Sequence, residues 1–210
     1  GWVGLAPGLP QEVVEELSRR ARDAEKKARL QLQAKQQKAL PPVRVRVGAQ
    51  SKMEIAPLSN LAKPVSKLVL GTDNQIDAPT MAAMADAFVE AGGTCFDTAF
   101  IYSDGRSEAL LGEWMAARGL RDDLVVLSKG AHTPDCSPEA VSQQLDISLE
   151  RLQTSYLDLY CLHRDDPNVP VSEWIDALNR EVRAGRIHQF GGSNWTAERV
   201  DEANAYAAAN

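Results

Sequence analysis

From residue 65 onward, short apolar runs alternate with segments whose apolar residues recur at helical spacing. The runs at 67–70, 94–96, 124–128, 157–162 and 189–191 predict five strands, each followed by a helix. Helix starts carry their usual signals: Asp77 or Pro79 before Met81, Ser107 before Glu108, Ser137-Pro138-Glu139, and Thr196 before Glu198. Strand-to-strand steps of about 25 to 35 residues suit a parallel (β/α)8 TIM barrel, in which right-handed crossovers lay each strand beside the last. A doubly wound sheet stays open as an alternative. No GxGxxG follows a predicted strand, and Gly92-Gly93 precedes one, which reads as a helix stop and speaks against a Rossmann dinucleotide fold.

The front of the chain has a different rhythm. Residues 11–39 contain neither Gly nor Pro and are rich in strong helix formers, which predicts one long N-terminal helix. Its stripe of Val13, Leu17, Ala21, Ala24 and Ala28 is too narrow and Ala-rich to anchor a core alone. Pro41-Pro42 stops it, and Val43, Val45 and Val47 alternate with Arg44 and Arg46 as in a half-exposed strand. Residues 1–52 hold 11 of the 23 basic residues but only 5 of the 29 acidic ones, so the remainder is strongly acidic. We therefore expect two pieces: a basic helix and strand over 1–52, the tail of an upstream fused domain, and a partial barrel over 53–210. Five βα units cannot close an eight-stranded barrel, so the chain is expected to be cut at both ends.

Composition narrows the class. With 44% apolar and 25% charged residues in 210, the chain can bury a globular core. No apolar stretch reaches membrane-spanning length and the first residues lack a secretory layout, so the expected compartment is the cytoplasm. Cys95, Cys136 and Cys161 are odd in number and contain no CxxC pair, which suggests neither a disulfide framework nor a zinc site. Cys95 and Cys161 read as small apolar strand residues. The acidic main body argues against nucleic acid as a partner, and small-molecule chemistry fits better.

The candidate chemistry lies where polar residues close the apolar runs. Asp97 closes the second, Lys129 the third, His163 the fourth, and Ser193-Asn194 the fifth. In a parallel barrel these carboxyl ends converge on one face, where catalytic groups gather. Tyr102 sits five residues past Asp97, on the loop above the same mouth. A phenol ordinarily titrates near pH ~10, so using it as an acid at neutral pH calls for a neighbouring cation, which Lys129 can supply. Asp97 can hold that lysine protonated through a salt bridge. His163 can hydrogen-bond the oxygen of a bound carbonyl and orient it.

These residues carry a family resemblance. Phe96-Asp97-Thr98-Ala99 with Tyr102, Leu127-Ser128-Lys129, Leu162-His163 and Ser193-Asn194-Trp195 resemble the aldo-keto reductases in order and spacing, over about residues 65–210. The resemblance implies reversible NAD(P)H-dependent reduction of an aldehyde or ketone, NADP being the favoured cofactor over NAD. It implies Tyr102 as general acid and base, tuned by Lys129 and Asp97, with His163 positioning the carbonyl. Cofactor contacts implied are Gly71 and Thr72 at the end of the first strand, Asp97, and Ser193 and Asn194 at the nicotinamide carboxamide. The late strands that grip pyrophosphate and adenosine ribose in this family are not among the five units. A non-catalytic cofactor-binding or regulatory relative, or an inactive fragment, are the alternative readings.

Weaker signals point elsewhere. Arg164-Asp165-Asp166 after His163 raises metal-assisted hydrolysis, but no second histidine closes a strand, and that reading leaves Tyr102 and Lys129 idle. No metal is expected. His132, in a loop beside Pro134, reads as a surface residue, with lining of the substrate entrance as the alternative, and Cys136 reads the same way. Trp114, Trp174 and Trp195 read as packing residues, the last close to the cofactor set.

Overall fold

The structure is a computed structural model that describes residues 53–58, 61–75 and 77–209. The expected long helix and the basic strand of 1–52 lie outside the described residues. Within them, β1 (Ile55–Ala56) and β2 (Val65–Ser66) pair antiparallel. Then five βα units follow: β3 (Val69–Gly71) and α1 (Ala78–Glu90), β4 (Cys95–Asp97) and α2 (Arg106–Arg118), β5 (Val125–Gly130) and α3 (Pro138–Leu152), β6 (Leu157–Leu162) and α4 (Val171–Arg183), β7 (Ile187–Gly192) and α5 (Ala197–Ala209).

The five strands form one parallel sheet in chain order, β3-β4-β5-β6-β7. Sequential order with helical crossovers is the barrel arrangement; a doubly wound sheet reverses direction at a switch point, and this one does not. The units are part of a (β/α)8 barrel. β6 spans the expected residues, whereas β5 runs two residues further and takes in Lys129 and Gly130. The first strand of the parallel sheet starts at Val69, two residues later than expected, because Ser66 ends β2 and turns the chain: its hydroxyl donates to Leu68 O at 2.6 Å and accepts from Thr94 N at 3.0 Å. The short β1–β2 hairpin is thereby tied to the start of β4.

Alternation along the strands sorts the faces. Val126, Ser128, Tyr160 and Leu162 are buried under the helices, with Trp114, Leu145, Trp174 and Leu178. On the opposite face Leu127, Leu159 and Cys161 are half-buried in mid-sheet, while Val125, Leu157 and Ile187 are buried at the amino ends of their strands. That end also holds Asp158, fully buried, which accepts from Val126 N at 3.0 Å and pairs with Lys63 and Arg121, each at 2.9 Å.

Three of the four helix starts follow their predicted caps. Asp77 accepts from Thr80 N at 2.9 Å, Ser137 from Ala140 N at 3.3 Å, and Thr196 from Arg199 N at 3.3 Å. The fourth is a correction: Ser107 is a buried residue inside α2, and the position before that helix is Gly105, at φ 83° with no side-chain cap. Gly92 (φ 91°) follows the end of α1, as its reading as a helix stop requires. No helix among the described residues is long and apolar enough to cross a membrane.

Candidate active site

The carboxyl ends of the strands bring the predicted groups together. Asp97 is the last residue of β4, Lys129 the last but one of β5, and His163 follows β6 directly. Lys129 is buried, and its ammonium donates to Asp97 Oδ1, to Thr98 O at 2.8 Å and to the Tyr102 hydroxyl at 3.1 Å. Three acceptors, one of them anionic, suit an –NH3+ group with three protons. The same nitrogen lies 4.7 Å from the centre of the Tyr102 ring. The ring of Tyr102 meets that of His163 edge to face, centroids 5.8 Å apart.

His163 is buried, and its pKa is lowered from 6.5 to about 4. Burial is the largest cause, followed by electrostatic repulsion from Lys129, His132 and Arg164, with Asp73 opposing them. The imidazole is therefore neutral at pH 7. Its Nδ1 is buried with no hydrogen-bond partner among the described residues.

His132 departs from its surface reading and takes the alternative one. It is not a free surface residue but packs edge to face on His163, with centroids 4.9 Å apart, so it lines the same mouth. The turn that delivers it begins at Ala131, buried at φ 55°, whose amide donates to Gln144 Oε1 at 2.8 Å. Sequence spacing carries no sign of such a turn.

The residues expected at a cofactor sit on the same face. Gly71 ends β3 opposite Asp97, and Thr72 is fully buried, its amide and hydroxyl both donating to Asp97 O at 2.9 and 3.1 Å. Ser193 follows β7, and its amide donates to Leu162 O at 2.8 Å. Asn194 adopts φ 62°, and its amide nitrogen donates to His163 O and to Ser193 Oγ, both at 3.0 Å. Trp195 packs over Gly192, where any Cβ would come within 2.8 Å of the indole, and the Arg199 guanidinium lies 5.2 Å from the centre of the Trp195 ring. Nothing lies within 4 Å of a Cβ built on Gly71, so there is room for a ligand beside it.

Sequence reasoning missed a second polar cluster behind the site. Glu108, fully buried near the start of α2, accepts from Ser128 Oγ at 2.7 Å and from Arg151 Nη1 at 3.1 Å. No signal announced it, because its partners stand 20 and 43 residues away on other elements.

A parallel barrel segment thus carries a lysine, a carboxylate, a phenol and an imidazole together at its carboxyl mouth. Residues 67–209 match the model of the aldo/keto reductase family, and the chain belongs to that family. It is 38% identical over 145 residues to aflatoxin B1 aldehyde reductase member 4 of Homo sapiens, covering 67% of this chain and 44% of that protein. It is 39% identical over 138 residues to norsolorinic acid reductase B of Aspergillus parasiticus, covering 60% and 36%. With the aryl-alcohol dehydrogenase [NADP(+)] of Phanerodontia chrysosporium it shares 34% over 148 residues, covering 63% and 38%. The crystal structure of a thermostable aldo-keto reductase with the inhibitor epalrestat superposes with a TM-score of 0.64 at 28% identity, covering 73% of this chain and 58% of that one. The chain spans less than half the length of each of these three curated relatives.

Proposed function

We propose that the protein reduces the carbonyl of a small aldehyde or ketone, reversibly, in the cytoplasm, with NADPH favoured over NADH. The observation that carries this reading is the single buried ammonium of Lys129, hydrogen-bonded at once to Asp97, Thr98 O and the Tyr102 hydroxyl beside a neutral His163. Tyr102 gives its proton to the carbonyl oxygen as that oxygen gains charge. Lys129 stabilises the phenolate left behind, and Asp97 holds the Lys129 ammonium in place beside it. His163 holds the carbonyl oxygen beside Tyr102; being neutral, it orients without competing as the acid. The nicotinamide cofactor, when bound, supplies the hydride that goes to the carbonyl carbon.

The donor set fits that group. Ser193 and Asn194 offer a hydroxyl and an amide to a carboxamide at the end of β7, while Gly71 leaves open space at the end of β3 and Thr72 is braced against Asp97. The preference for NADP rests on the family resemblance and on the cofactor in the name of the Phanerodontia relative. The basic stretch 1–52 is proposed as the tail of an upstream domain, on its charge and helical pattern alone.

The test uses the full-length protein. It is expected to oxidise NADPH in the presence of a simple aldehyde such as 4-nitrobenzaldehyde. Tyr102→Phe is expected to lower kcat about 10²- to 10⁴-fold, the usual worth of a positioned acid, with the cofactor Kd unchanged. Unchanged turnover in that variant sinks the mechanism. Cofactor binding without turnover in the parent favours the regulatory reading instead.

A further inference from the structure

We propose that Arg151, through its pair with the buried Glu108, is a positioning residue that clamps the Tyr102 loop to the strand carrying Lys129. The proposal rests on the carbonyl-reducing reading of that site. Tyr102 sits on a loop from Thr98 to Gly105 whose end is held in an uncommon backbone state: Ser103, Asp104 and Gly105 have φ of 49°, 55° and 83° in succession. Left-handed residues in a row relax unless the surroundings over-determine them.

Arg151, at the end of α3, supplies that constraint. Its Nη1 donates to Phe100 O at 2.9 Å, two residues before Tyr102, and to Glu108 Oε2 at 3.1 Å. Its guanidinium lies 4.7 Å from the centre of the Phe100 ring. A Cβ on Gly105 would fall 2.1 Å from the guanidinium carbon, so the arginine occupies the space that a side chain at 105 would need.

The other half of the clamp reaches the second reacting group. Glu108 is fully buried, and its remaining oxygen accepts from Ser128 Oγ at 2.7 Å. Ser128 immediately precedes Lys129 in β5, and Phe100 N donates to Lys129 O at 2.9 Å. One carboxylate and one guanidinium thus join the loop bearing Tyr102 to the strand bearing Lys129, behind the 3.1 Å contact between those two side chains. The planar guanidinium reaches Phe100 O, the Phe100 ring and Glu108 in one rigid geometry, which the shorter, freely rotating ammonium of a lysine does not reproduce.

The experiment compares Arg151→Lys and the charge-neutral pair Glu108→Gln/Arg151→Gln with the parent, in the full-length protein. Arg151→Lys keeps a countercharge for Glu108, so it folds even if the clamp is lost; the neutral pair leaves no buried unpaired charge. Four readouts are taken: NADPH oxidation with 4-nitrobenzaldehyde, cofactor Kd by fluorescence, thermal midpoint, and amide hydrogen exchange over 98–106. Both variants are expected to lose at least tenfold in kcat with KM and cofactor Kd within threefold, and to exchange at least tenfold faster across 98–106. A merely structural pair would lower the thermal midpoint without splitting kcat from KM. Parent-like kcat and parent-like exchange in folded variants overturn the proposal. If the parent itself shows no turnover, the reading of the site fails, and the exchange of 98–106 still decides the clamp.

Discussion

Replacing Lys129 with Met removes one charge and leaves the side-chain stem, so it isolates the contribution of the ammonium. In the structure that ammonium stands 3.1 Å from the Tyr102 oxygen. At an effective dielectric of about 20, a unit charge forming at that distance interacts with the ammonium by roughly 5 kcal/mol. A phenol about half ionised in the transition state takes about half of it, roughly 2.7 kcal/mol, or a hundredfold in rate. The expected fall in kcat is therefore about 10² to 10⁴, the upper end corresponding to full charge development. Stability should change less. Asp97 keeps a third of its side chain exposed and can be hydrated once unpaired, whereas Thr98 O loses its buried donor, for a cost of about 1–3 kcal/mol. The assay is steady-state NADPH oxidation with a saturating aldehyde, accompanied by cofactor titration and urea unfolding of the same preparation. A folded Lys129→Met protein that binds cofactor normally and turns over within threefold of the parent would falsify the electrostatic account of Tyr102.

Two further outcomes follow from groups on either side of the sheet. Asp158→Asn strands Lys63 and Arg121 at the amino end of the barrel; loss of a buried partner costs about 3–5 kcal/mol, and the low end is expected because both cations keep backbone carbonyl acceptors, as urea unfolding will test. His163 has a folded pKa lowered to about 4 against 6.5, so the unfolded chain binds more protons between those values. Its contribution is complete above about pH 6.5 and is lost as the pH falls toward 4, at most roughly 3 kcal/mol. His163→Gln should therefore flatten the pH dependence of the unfolding free energy between pH 7 and 4.5, and an unaltered slope would show that the histidine is not held neutral by burial.

What the sequence determined about this protein is the part that local pattern encodes. The run Leu157–Leu162 appears as β6 without adjustment, since six residues bounded by polar ones have one way to lie buried in a parallel sheet. Asp77, Ser137 and Thr196 cap their helices because capping needs only neighbours three residues away. Convergence of Asp97, Tyr102, Lys129 and His163 was also legible, because strand ends in repeated βα units share a face whatever the rest of the barrel does. Their contact distances were not.

Tertiary structure alone decided the remainder. Ser107 fails as a cap because α2 begins two residues earlier than expected, after Gly105, which takes a left-handed turn under Arg151. His132 joins His163 through a turn at Ala131 that Gln144, thirteen residues on, holds in place. Glu108 and Asp158 look like ordinary helix and strand positions in the sequence, yet both are fully buried against charges from distant segments. A buried carboxylate is tolerable only when its partners arrive with it, and those partners are chosen by packing between elements rather than by spacing within one.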